Sequence, residues 1–178
     1  MPNSRSGPRA VNRIGPALIS GGIAIVINTF ALKAADLISL PTARGGLLRL
    51  ISPWFAPSLQ ASGGASLWFS LGGPAPGTPI FGTGFHLAVG LLMALFYAFA
   101  LEPVLPGGAL RRGLIYAIVV WLLNAAIVLP LTGEGFAGST HLTIAGMLWF
   151  AAAHTLFFVI LALGYDRLKP AYFNVGSR

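Results

Sequence analysis

Apolar residues in this chain neither alternate nor form a stripe; over four stretches they follow one another almost without a break. The runs are Ile14 to Leu32, Ile80 to Leu101, Leu114 to Leu131 and Leu142 to Tyr165. Each approaches or exceeds the ~20 residues needed to cross a bilayer core. The pattern therefore predicts an all-α membrane protein, a single transmembrane domain over residues 1–178 built as a four-helix bundle. Pro16 stands at the start of the first run, where a missing N–H is tolerated. Pro103, Pro106 and Pro170 follow the second and fourth runs as stops. Arg5, Arg9 and Arg13 precede the first run as they would in a cleaved leader. The apolar core is longer than a leader's, however, and Lys33 interrupts the small-residue cleavage pattern. An uncleaved first span is the expectation.

Between the first two runs the pattern changes. Leu47, Leu48, Leu50, Ile51, Trp54 and Phe55 are too apolar for free solution, while Arg44, Arg49 and Pro53 forbid a span. Residues 44–58 thus read as a short helix lying in the outer interface. The Gly, Ser and Pro residues from there to Pro79 read as irregular, with Trp68 and Phe69 dipping into the headgroups.

Charge orients the spans. Arg5, Arg9, Arg13, Arg111, Arg112, Arg167, Lys169 and Arg178 fall on one side, and only Lys33, Arg44 and Arg49 on the other. Short loops rich in Lys and Arg stay cytoplasmic, so both termini are expected inside. Tyr97, Tyr116, Tyr165 and Tyr172 fall on the same side, and Tyr97, Tyr116 and Tyr165 together with Arg111, Arg112 and Arg167 read as inner-interface anchors.

Composition supports the membrane and excludes other classes. Charged residues are only 8% of the chain, against about a quarter in a soluble domain, too few to cover a water-facing surface. The net charge of +7 is spread over single residues rather than along one face, so nucleic acid is not an expected partner. With no cysteine, thiol chemistry is absent.

A weak repeat runs through the spans. His86 and Tyr97 are eleven residues apart, as are His154 and Tyr165, and Asn28 and Asn124 each follow an arginine that opens a span. Two hairpins related by an axis along the membrane normal would give this pattern. Both histidines would then lie roughly 16 Å from the inner interface, and the asparagines about 18 to 22 Å. Ala17, Gly21, Ala24 and Asn28 share one helix face, and His86, Gly90, Ala94 and Tyr97 another; Ala117, Trp121 and Asn124, and Ala151, His154, Leu161 and Tyr165, do so in the last two spans. Small residues let helix backbones approach. The expected result is a compact bundle around a mid-membrane layer of Asn28, His86, Asn124 and His154.

His86, Gly90 and Tyr97, then Leu105 to Gly107, Arg112 to Tyr116, Trp121, Pro130 to Gly138, His154 and Gly164 to Asp166 carry a family resemblance. Over these residues, and over Leu40 to Ile51, the chain resembles small four-span bacterial inner-membrane proteins of the YagU-like kind. The resemblance implies fold and a bacterial inner-membrane location rather than a chemistry.

The polar layer admits three roles. Histidines on two helices at one depth could ligate a b-type haem or relay protons; they could also only hydrogen-bond between helices, at about 1 kcal/mol per contact. Phe150, Phe157 and Phe158 crowd His154, which favours the structural role. Gly133, Gly135 and Gly138 match G-x-G-x-x-G, but they follow an apolar helix rather than a strand and read as a turn. Glu134 and His141 are too few to hold a metal and read as a solvated loop. Asp36, Glu102, Glu134 and Asp166, the whole set of carboxylates, sit at or beyond helix ends, which argues against a carboxylate-driven pump and paired-carboxylate catalysis. Ser20 and Ser139 have no histidine at their depth, so nucleophilic catalysis is not expected. The expectation is a non-enzymatic structural or accessory component with no cofactor, partnered by lipid and by subunits of a larger membrane complex or by self-association. A small transporter or channel using the His and Asn layer, and a carrier of haem b through His86 and His154, are the alternatives.

Overall fold

The computed structural model describes residues 7–43 and 45–175, with side chains only within 13–43 and 45–169. Arg5, Arg44 and Arg178, and the side chains of Arg9, Pro170 and Tyr172, lie outside the described residues. Among these the chain is all-helical, in the order α1 (Gly7–Leu37), α2 (Gly46–Ala61), α3 (Gly64–Ser70), α4 (Pro79–Leu101), α5 (Ala109–Leu131) and α6 (Ile144–Val175). Four stretches are long and apolar enough to cross a membrane: Arg13–Leu37, Pro79–Leu101, Ala109–Leu131 and Ile144–Lys169. They coincide with the four predicted runs.

Local chemistry explains most of the boundaries. At the start of α4 the Thr78 hydroxyl accepts from the Phe81 N–H at 3.3 Å, and Pro79 occupies the first helical position. Gly63, in the left-handed region at φ 71°, separates α2 from α3. Helix α3 therefore occupies part of the segment expected to be irregular, which shrinks to residues 71–78. Pro16 is not at a helix start, because α1 begins nine residues earlier. An interior proline leaves the carbonyl four residues back without its backbone donor; separately, the Ser20 hydroxyl back-bonds to the Pro16 carbonyl at 2.6 Å. Helix α6 likewise runs through Pro170 to Val175 instead of stopping there; near a helix end, one lost bond can be replaced by water.

Helices α4 and α5 each contain a widened π turn, Tyr97–Leu101 and Asn124–Val128. The Glu102 N–H donates to the Tyr97 carbonyl at 2.7 Å, and the Leu129 N–H to the Asn124 carbonyl. Both donors immediately precede a proline, Pro103 and Pro130. A proline ring has no N–H and presses on the carbonyl four residues back; a wider turn relieves that clash.

Helix α1 is the centre of the bundle. It packs along both α6 and α4, and α6 packs along α5, whereas α4 and α5 share no comparable seam. The close seams are made by small residues, Gly21 and Ala94 from the predicted faces and Gly113 outside them. A Cβ on Gly21 would overlap that of Ala94, and one on Gly113 would lie 2.8 Å from the Phe158 carbonyl. Ala17, Ala24, Ala94 and Leu161 are fully buried, while Ile23, Phe30, Leu92 and Ile118 point outward and exposed. Large apolar residues outside and small ones inside invert the soluble pattern.

Candidate functional site

The missing seam between α4 and α5 has two fates. At one end aromatic rings fill it: Tyr97 stacks on Tyr116 at 6.2 Å, Tyr165 meets Tyr97 edge-on at 5.7 Å, and Phe158 lies 4.3 Å from Tyr116. The Tyr116 hydroxyl donates to the Met93 carbonyl at 3.3 Å. These tyrosines, expected as interface anchors, are packed inside the bundle at that end, with 5% exposure or less. A buried ring adds area and a stacking preference that an outward-facing one cannot.

At the other end the gap stays open as a cavity of about 400 Å³, within the usual range for small-molecule sites. All four residues of the predicted polar layer, Asn28, His86, Asn124 and His154, line it. Phe85, Phe150, Phe157 and Phe158 contribute apolar walls; Lys33, Asp36 and the start of α2 from Gly45 to Leu48 also contribute to the lining.

Bonding within the layer is unequal. The Asn28 amide donates to the Ala153 carbonyl at 2.8 Å and its oxygen lies 2.9 Å from His86 Nε2, so this one side chain links α1 to α4 and to α6. It is 1% exposed. Asn124 instead donates to its own helix, to the Val120 carbonyl at 3.1 Å, and His154 Nδ1 does the same to Phe150 at 2.8 Å. The repeat places the four residues around one space without giving them equivalent bonds.

Glu102 is the centre of a buried ion-pair knot that sequence reasoning missed. Its carboxylate is 6% exposed and meets three cations: Arg13 at 3.5 Å, Arg112 at 3.6 Å and Lys169 at 2.5 Å. Arg13 also donates to the Ala98 carbonyl at 3.0 Å, and Arg112 Nε to Leu105 at 2.9 Å. One charge from the same end of each span meets in one knot. The signal was present: three cations and one carboxylate lie at four span ends that topology brings together. Arg111 and Arg167 stay exposed beside the knot.

Glu134 is a correction. Expected in a solvated loop, it is 8% exposed, bonded to Arg49 of α2 and 2.8 Å from His141 Nδ1. The Arg49 hydrogen bond holds its carboxyl below the ordinary value, against the opposing effect of burial. The G-x-G-x-x-G stretch is a turn as predicted, with Gly135, Ala137 and Gly138 at φ 71°, 54° and 86°. Across it the Thr140 N–H donates to the Glu134 carbonyl at 3.0 Å. No group of three or more His, Cys, Asp or Glu gathers among the described residues.

The four spans make the class that of a multi-pass membrane protein. The chain matches no protein-family model, no curated protein and no solved structure.

Proposed function

We propose that this chain is a multi-pass protein of a bacterial inner membrane, related to the YagU-like four-span group, that acts without catalysis as a structural or accessory component of a membrane complex. Both termini are then cytoplasmic, and α2 lies in the outer interface. The unequal ends support this orientation. The Glu102 end holds Arg13, Arg111, Arg112, Arg167 and Lys169, whereas Lys33, Arg44 and Arg49 are the basic residues of the segment at the other end. No residue of α2 is buried, and Trp54 and Phe55 are exposed, as an interfacial helix requires.

The observation that carries the structural role is the use made of Glu102 and Asn28, whose side chains are spent on joining one span to others. Purification in mild detergent, with identification of the co-purifying subunits, tests it: a fixed partner is expected, and a monomer isolated alone would overturn it. Reporter fusions should read cytoplasmic after Asp166 and external near Gly72 and Gly138; a cytoplasmic result at Gly138 would sink the orientation.

The cavity favours a second reading, a small-molecule carrier or channel built on the His and Asn layer. A haem b carrier would have to use the same two imidazoles.

A further inference from the structure

The bonds already made in the cavity decide what it can offer a ligand. A backbone carbonyl can only accept, so the nitrogen of His154 that lies 2.8 Å from the Phe150 carbonyl carries the proton. In the neutral ring Nε2 is then a bare acceptor. Asn28 is oriented by the same logic: its NH₂ must face the Ala153 carbonyl, which leaves its oxygen toward His86. That oxygen only accepts, so His86 Nε2 donates and His86 Nδ1 becomes the second bare acceptor. Asn124 spends its NH₂ on Val120, leaving its oxygen as the third.

Among the described residues no side-chain polar atom is sealed off without a partner. Each of these three atoms therefore keeps surface that a water-sized molecule can reach. The residues that carry them line one cavity, together with the rings of Phe85, Phe150, Phe157 and Phe158. Aromatic faces are electron-rich and attract cations. The deep polar lining can accept hydrogen bonds, while Asp36 and Lys33 bring one charge of each sign elsewhere in the wall.

We infer that the cavity binds a primary amine in its ammonium form, its N–H groups donating to His86 Nδ1, His154 Nε2 and Asn124 Oδ1. This rests on the carrier reading of the same cavity and names its ligand class. A metal ion is the weaker fit, because two imidazoles are fewer than the three or four ligands a protein site supplies.

The test uses the full chain in lipid nanodiscs. The native sequence has no cysteine, so Val89→Cys, a lining position, is the sole target of a water-soluble thiol reagent. Methylammonium should bind saturably and protect this cysteine. Tetramethylammonium, equally charged but without N–H groups, should do neither. Asn124→Leu should weaken methylammonium binding by about tenfold or more, the weight of one hydrogen bond to a charged group, with ligand-free melting nearly unchanged. Equal binding of the two cations would overturn the inference, as would binding of Zn²⁺ alone. An accessible cysteine without methylammonium binding would overturn the amine while leaving the cavity reading intact; an inaccessible cysteine would overturn both.

Discussion

The two ends of the bundle each bury a carboxylate against cations, and they use it differently. Glu102 is met by Arg13, Arg112 and Lys169, so the knot includes the end of every span, and the seam beside it is filled with aromatic rings. Glu134 is met by Arg49 and His141, so its pair ties only a loop to α2, beside an open cavity. The first end is closed by bonds between spans; the second is covered by a peripheral helix whose anchoring arginine is half exposed. Burial alone does not give an ion pair its structural weight. What matters is how many independent elements would separate if the pair were lost.

The largest effect should follow Glu102→Gln. Removing the carboxylate leaves Arg13, Arg112 and Lys169 facing one another, and breaking such a buried pair costs about 3 kcal/mol. A lower melting temperature in detergent checks this. A change no greater than that of Glu134→Gln would break the comparison.

Within the layer, Asn28→Ala should cost about 1 to 2 kcal/mol, since it removes bonds to two other helices. Asn124→Ala, which loses one bond within its own helix, should change stability by a few tenths of a kcal/mol. Equal losses would show that the layer is symmetric after all. His86→Ala should fall nearer Asn28, at about 0.5 to 2 kcal/mol, and His86→Gln should recover part of it. Function abolished by His154→Gln at unchanged stability would favour the relay role.

The smallest effect is acid loosening of α2. Because Glu134 is held below the ordinary carboxyl value, its pairing stabilises the fold above the ordinary range near pH 4.3. That stability fades as pH falls through the lowered value. Hydrogen exchange over 46–61 and 133–142 should rise there, and Glu134→Gln should remove the pH dependence. Unchanged protection in the native chain at low pH would count against the tie.

The spans were readable because unbroken apolar length is a local property. The small-residue faces were readable because helical spacing puts Gly21 and Gly90 on the faces that meet. The Glu102 knot was not read, since Arg13, Arg112 and Lys169 already had an explanation as orienting charges, and Arg13 and Lys169 lie far from Glu102 in the chain. The tyrosines misled for a related reason: depth along a helix can be counted from the sequence, but which way a ring faces depends on the neighbour it meets. The burial of Glu134 depended on a glycine turn and on an arginine 85 residues away.

The π turns also carry a consequence for design. A turn that spends an extra residue slips the phase of everything beyond it by about 100°, the angle of one helical step. A wheel drawn through α5 from Ala117 to Asn124 is in register, but carried on to Leu131 it assigns faces one position out. Deleting one residue between Asn124 and Pro130 would remove the extra step, restore the ordinary pitch and leave both halves of α5 on their present faces. A deletion in the turn would thus be absorbed, whereas the same deletion between Gly113 and Leu123 would rotate the Gly113 contact against the cavity wall by about 100°.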